Sequence, residues 1–183
     1  MADELLVRFG APTLAGIKTG SLFSYEYGSR KRLAAELREL NRVLGPKGLR
    51  ILPMRFGKER VLLYVYRPLD LTRDLGRKDA LSILHETGYR SDDAQGCVAE
   101  LMSRLRSGKP FPHEIGLFLS YPPEDVRGFI ENHAGGYKLI GAWKVYGDVE
   151  KARRTFDRYA RCTDTYCKQW ASGVSIGRLA VAV

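Results

Sequence analysis

FPHEIGLFLSYPPEDVRGFIENHAGGYKLIGAWKVYG, Phe111 to Gly147, is the stretch on which the fold turns. It opens with Ile115 to Leu119, apolar on both faces as a buried central strand requires, and predicts a strand over Glu114–Tyr121. A sharp helix start follows, Pro123 in the first turn with Glu124 and Asp125 at the positive end of the dipole, predicting a helix to His133. The aromatic run Tyr137 to Tyr146 predicts the next strand. His113, Glu114, Tyr121, Lys144 and Tyr146 stand at the ends of these elements. About seven residues at ~3.3 Å each would put more than ~20 Å between His113 and Tyr121, so the stretch divides into two rims. The direction of the second strand then decides which rim receives Lys144 and Tyr146.

Outward from this stretch, Ala15 to Glu26 reads as an extended segment. Ser29 is an N-cap for a helix carrying Leu33, Leu37, Leu40 and Leu44 at helical spacing, and Gly45 stops it. Leu49–Phe56 and Arg60–Arg67, separated by Gly57-Lys58-Glu59, predict an antiparallel hairpin. Residues 69–108 are helical, with a turn near Asp70–Leu75, a helix over Lys78–Glu86 closed by Gly88, and another over Asp92–Arg106 with Ala94, Val98, Leu101 and Leu105 on one stripe. Asp148 caps a long amphipathic helix ending at Gly173, and Val174–Val183 is read as a last strand. The expected architecture is one α+β domain over residues 1–183, with a mixed sheet of five or six strands flanked by helices.

The 183 residues, 44% of them hydrophobic, suffice for a real core. Acids in MADELLVRFG stand where a secretory leader would be basic, and no eighteen-residue apolar run exists, so a cytoplasmic chain without membrane association is expected. Cys97, Cys162 and Cys167 form no paired framework, and the expectation is reduced thiols. The net charge of +9 is uneven: residues 1–60 carry 12 basic and 6 acidic groups, 61–147 carry 11 of each, and the last 36 carry 7 and 4. A basic patch results if the two ends meet.

Several motifs lose to simpler readings. Gly10, Gly16, Lys18 and Thr19 resemble a phosphate loop, but five residues separate the glycines and Ile17 intervenes before the lysine. The basic face of the last helix (Lys151, Arg154, Arg158, Arg161, Lys168) has Glu150, Asp157 and Asp164 four residues before a base, which reads as a solvated face. The helix pair at 78–106 opens its second helix with Asp92-Asp93, against DNA recognition. Cys97 is read as a buried small hydrophobe. His113 is the candidate general acid or base, since imidazole changes charge near neutral pH; His85 and His133 read as helix-end residues.

The segments APTLAGIKTGSLF (Ala11–Phe23), VLLYVYR (Val61–Arg67), FPHEIGLFLSYPPEDVRGFI (Phe111–Ile130) and GAWKVYGD (Gly141–Asp148) resemble an uncharacterised bacterial family, domain of unknown function 3793. The family has no established activity, so the resemblance supplies no catalytic residue. It implies a redox or iron-related context, through anaerobic bacteria in which such proteins are encoded near flavodoxin or iron-uptake functions. Relatives carry a His-Cys pair where this chain has Phe9-Gly10, which removes a nucleophilic or ligating cysteine there. The leading expectation is a small-molecule or cofactor-binding protein taking an anionic ligand. It would use His113 as acid or base and Lys18, Glu114, Tyr121, Lys144 and Tyr146 as ligand-binding groups. The alternatives are nucleic-acid binding through the basic ends and a protein-interaction adaptor exposing Tyr159, Tyr166 and Trp170.

Overall fold

In the computed structural model, residues 2–108 and 110–182 are described. The elements in chain order are α1 (Ala2–Leu14), β1 (Gly20–Glu26), α2 (Arg30–Leu44), β2 (Arg50–Phe56), β3 (Arg60–Tyr66), α3 (Pro68–Leu75), α4 (Lys78–Glu86), α5 (Ala94–Arg106), α6 (Ile115–Phe118), α7 (Pro123–Glu131), β4 (Leu139–Ile140), β5 (Lys144–Val145), α8 (Val149–Ala171) and α9 (Ile176–Leu179). They gather into two compact units, Met1–Leu69 with Arg161–Val183, and Asp70–Ala160.

The first unit is built on the antiparallel sheet β1-β3-β2, in which the predicted hairpin forms with a register irregularity between Pro53 and Arg55. Strand alternation sends Phe23, Ile51, Val61, Leu63 and Val65 to one face, where they meet Leu6, Val7 and Leu14 of α1 and Leu33, Leu37, Leu40 and Leu44 of α2. Ser29 caps α2 by accepting from the Arg32 amide at 3.2 Å. Gly10 lies inside α1, where an added Cβ would press on Leu6 and Val65, so the first glycine of the apparent phosphate loop is a helix-packing residue, and Gly16 and Lys18 fall in the turn after the helix. Tyr166, Cys167, Trp170 and Val174 pack against the same core, which brings the two ends of the chain together. Buried Arg67 fastens that junction: it donates to the carbonyls of Thr13, Leu14 and Val181, each at 2.8 Å, and of Lys47 at 3.2 Å. Two of these are end-of-helix carbonyls left without an intrahelical partner.

The second unit is mostly helical, and three predicted strands are corrected. Glu114–Tyr121 holds one turn of helix, α6 over Ile115–Phe118, flanked by turns, and no strand. Its residues are buried on every side, so no periodicity distinguished helix from strand, and Gly116 admits Val126 and Tyr121 too closely for any side chain there. The turn closes with Ser120 left-handed at φ 62° and the Tyr121 amide donating to the Gly116 carbonyl at 2.9 Å, a Schellman ending. Tyr137–Tyr146 shrinks to the two-residue strands β4 and β5, paired antiparallel as Leu139↔Val145 and Ile140↔Lys144. In the first unit, Val174–Val183 contains the short helix α9 instead of a strand. Sheets of three and two strands therefore replace the expected sheet of five or six. Helices α4, α5, α7 and α8 form within the stretches predicted for them, 78–86, 92–106, 123–133 and 148–173. Of the spaced pairs on α8, Asp164–Lys168 forms at 3.4 Å, while Glu150 turns toward Arg153 at 3.9 Å. Among the described residues no helix is long and apolar enough to cross a membrane.

Candidate ligand cavity

Asp125 organises the second unit. It enters the first turn of α7 beside Pro123, and its side chain is buried. One oxygen accepts from the Tyr146 and Gly147 amides, the other from the Trp143 indole, all at 2.7 Å. These three bonds fix the β5 segment against α7, and Gly128 lets Tyr146 lie directly on the helix. Trp143 is thereby held between Tyr121, stacked with ring centroids 4.9 Å apart, and Phe156, edge-on at 4.5 Å. The Tyr121 hydroxyl donates to the Ala142 carbonyl at 3.2 Å.

Beside this aromatic wall lies a cavity of about 410 Å³. Phe111, His113, Phe129, Ile140, Trp143 and Lys144 line it, together with Tyr121 and the satisfied Asp125. Helix α6 is the reason for this convergence: the compact turn brings His113 and Tyr121 onto one cavity, where an extended strand would have divided them. His113 stands edge-on to Phe129 with centroids 5.0 Å apart. The Lys144 ammonium lies 5.7 Å from the centre of the Phe129 ring and 4.7 Å from that of Tyr137. It donates to the Ala134 carbonyl at 2.7 Å. Helix α7 ends with His133 and Ala134 both left-handed, at φ 47° and 65°.

Phe111 and His113 also border a second cavity of about 360 Å³, which contains Glu114 and Arg104. Glu114 is buried and paired with Arg104 at 3.3 Å; Arg104 also reaches Glu100 at 3.0 Å and the Thr87 carbonyl at 2.8 Å. Its guanidinium lies 4.0 Å from the centre of the Tyr89 ring. Burial, with Glu114 beside it, pushes the Tyr89 phenol well above its ordinary range. A third, more polar cavity of about 250 Å³ shares the Tyr121–Trp143 wall and holds Asp74, Arg77, Glu124, Asp148 and Lys151.

Of the remaining candidates, Tyr146 has a buried hydroxyl without a hydrogen-bond partner among the described residues, and burial raises its phenol. Lys18 belongs to the first unit, in the loop after α1, and burial lowers its ammonium to about 8. Tyr166 and Trp170 pack against the first unit's core, and Tyr159 against the Trp143 cluster, which argues against an exposed aromatic adaptor surface. Among the described residues no group of three His, Cys, Asp or Glu is placed to hold a metal. Sequence reasoning missed Asp125, Phe129 and Trp143 as site residues. The usable signal was the four-residue spacing of Asp125 and Phe129, which puts them on one face of α7.

Fold and cavity define an α+β protein with two small antiparallel sheets and an aromatic-walled cavity in its helical unit. The chain belongs to the family described as protein of unknown function DUF3793, whose model matches residues 6–180. No curated protein and no solved structure matches it.

Proposed function

We propose that the second unit binds a small molecule with an apolar, planar body and one anionic group, held in the 410 Å³ cavity. The observation carrying this reading is that His113, Tyr121 and Lys144 line one aromatic-walled cavity. Its size suits a small ligand, and pockets of this kind combine apolar walls with few polar groups. Lys144 is the cavity's cation, and its carbonyl contact leaves ammonium hydrogens for an anion. The carboxylate of Asp125 is taken up by its three donors, and the Lys144 ammonium bonds to the Ala134 carbonyl instead of to it. His113 is our candidate acid or base on a bound ligand, with Tyr121 and Lys144 orienting it. Glu114, in the neighbouring cavity, supports the His113 segment through its Arg104 pair.

The test uses an anilinonaphthalene sulfonate, an aromatic body bearing one anion, with Trp143 as energy donor. One site per chain is expected, displaced by aromatic carboxylates more strongly than by their neutral amides. Lys144→Ala should weaken it about tenfold, the size of one charge-assisted hydrogen bond. Affinity unchanged in both Lys144→Ala and Phe129→Ala would sink the reading.

A further inference from the structure

The charge of the chain divides along its two units. The first carries 16 Lys and Arg against 7 Asp and Glu, while the second carries 14 of each, so the whole +9 resides in one half of nearly equal length. Folding concentrates part of that excess at one end of the three-stranded sheet. The β1–α2 turn and the β2–β3 turn are joined there: the Tyr27 amide donates to the Glu59 carbonyl at 3.1 Å, and its hydroxyl to the Gly57 carbonyl at 3.1 Å. Arg30, Lys31, Arg55 and Lys58 are exposed at this end, and none has an ion-pair partner among the described residues. Of the acids nearby, Glu26 is taken by Arg60 and Glu36 accepts from the Tyr25 hydroxyl at 2.9 Å, while Glu59 stands on the turn. Amid the cations, Tyr27 meets Phe56 edge-on with centroids 5.7 Å apart, and the Arg30 guanidinium lies 4.8 Å from the centre of the Phe56 ring.

We infer that this end of the sheet binds single-stranded nucleic acid, the cations tracking phosphates and the Tyr27–Phe56–Arg30 group receiving a base. Cations alone would suit any polyanion; aromatic and guanidinium planes among them add the stacking that bases, unlike sulfated sugars or phospholipid headgroups, can use. The inference is independent of the cavity in the second unit. Double-stranded DNA is less suited, since its bases are already stacked on one another.

The experiment measures anisotropy of a labelled oligo-dT of about twenty nucleotides with the full-length protein across a salt series. Affinity should fall steeply with salt, with a slope reduced by ~0.7 for each phosphate contact removed. The exposed double variant Arg30→Glu/Lys31→Glu should lose at least about tenfold in affinity. The matched reversal Arg153→Glu/Arg158→Glu, on exposed residues of the neutral unit, should change it less than about twofold. Phe56→Leu should weaken binding about fivefold or more at unchanged salt slope, as loss of stacking predicts. Arg30→Lys, which keeps charge and loses the planar group, gives the same reading without touching the half-buried ring. The inference is overturned if both pairs of reversals cost the same. It is equally overturned if heparin or acidic-lipid vesicles bind as tightly as oligo-dT while Phe56→Leu and Arg30→Lys have no effect.

Discussion

Each unit is fastened by one buried charge that engages the opposite pole of the backbone. In the sheet unit Arg67 donates to four carbonyls; in the helical unit Asp125 accepts from two amides and an indole. Both solve the same problem, loop and helix-end backbone groups taken out of water with no ladder to pair them. Their setting differs. Arg67 closes a seam between the two ends of the chain, whereas Asp125 holds Trp143 as the wall of a cavity. A buried charge thus serves as a rivet in one unit and as a frame for an opening in the other.

The comparison is broken most directly by removing each charge. Arg67→Met removes a donor from four carbonyls, those of Thr13 and Leu14 buried, and Asp125→Ala leaves three donors unpaired. Each should cost about 3–5 kcal/mol, as loss of a buried, fully bonded charge does. The two tryptophans report separately, because Trp170 packs on the first unit's core and Trp143 is bonded to Asp125. In single-tryptophan backgrounds Asp125→Ala should shift the folded-state emission of Trp143, and Arg67→Met that of Trp170. If denaturant unfolding showed either variant within about 1 kcal/mol of the parent, the rivet assignment would be wrong for that unit. Next in size, Gly128→Ala would drive a methyl into the first ring carbon of Tyr146, costing about 2 kcal/mol despite alanine's better helix propensity. Gly10→Ala in α1 meets the flexible end of Leu6, and its propensity gain should offset most of the strain.

These two fasteners also mark where sequence reading stopped. The helices over 78–86, 94–106 and 149–171 were legible because each buries one stripe and exposes the other. The β2–β3 hairpin was legible from its turn. Ile115–Leu119 was not: buried all round, it carries no periodicity, and tight contacts at Gly116, invisible in the chain, select the helical turn. That one assignment decided the site. Read as a strand it separated His113 from Tyr121; as helix it joins them on one cavity with Lys144. Asp125 was legible as a helix-start acid, but its three partners lie 18 to 22 residues away, beyond any local rule.

A smaller effect concerns the half-buried ammonium of Lys18. Burial lowers the Lys18 ammonium to about 8 from an ordinary 10.5. The folded state therefore disfavours its proton: the penalty is complete below pH 8 and is relieved as pH rises from 8 to 10.5. Lys18→Met should stabilise the protein at pH 7 by about 1–2 kcal/mol, discounted for the solvent that reaches this half-buried chain. The advantage should fade between pH 8 and 10.5 in denaturant unfolding. An advantage constant across that range would mean that methionine packs better, not that a charge was relieved.

The smallest expected change separates folding from binding. Arg30, Lys31 and Arg32 crowd the first turn of α2, which holds no acid, whereas α1, α3, α4, α7 and α8 all carry one there. Cations at the positive end of a helix work against it, so Lys31→Glu should raise stability by about 0.5 kcal/mol at low salt. The gain should vanish in high salt, as screening of an exposed charge requires. The same substitution should weaken oligo-dT binding. Opposite signs in the two measurements would mean that this end of the neutral-to-basic divide is shaped for a partner at the fold's expense. Parallel losses would mean that Lys31 supports the helix itself, leaving the charge asymmetry of the two units as a feature of folding alone.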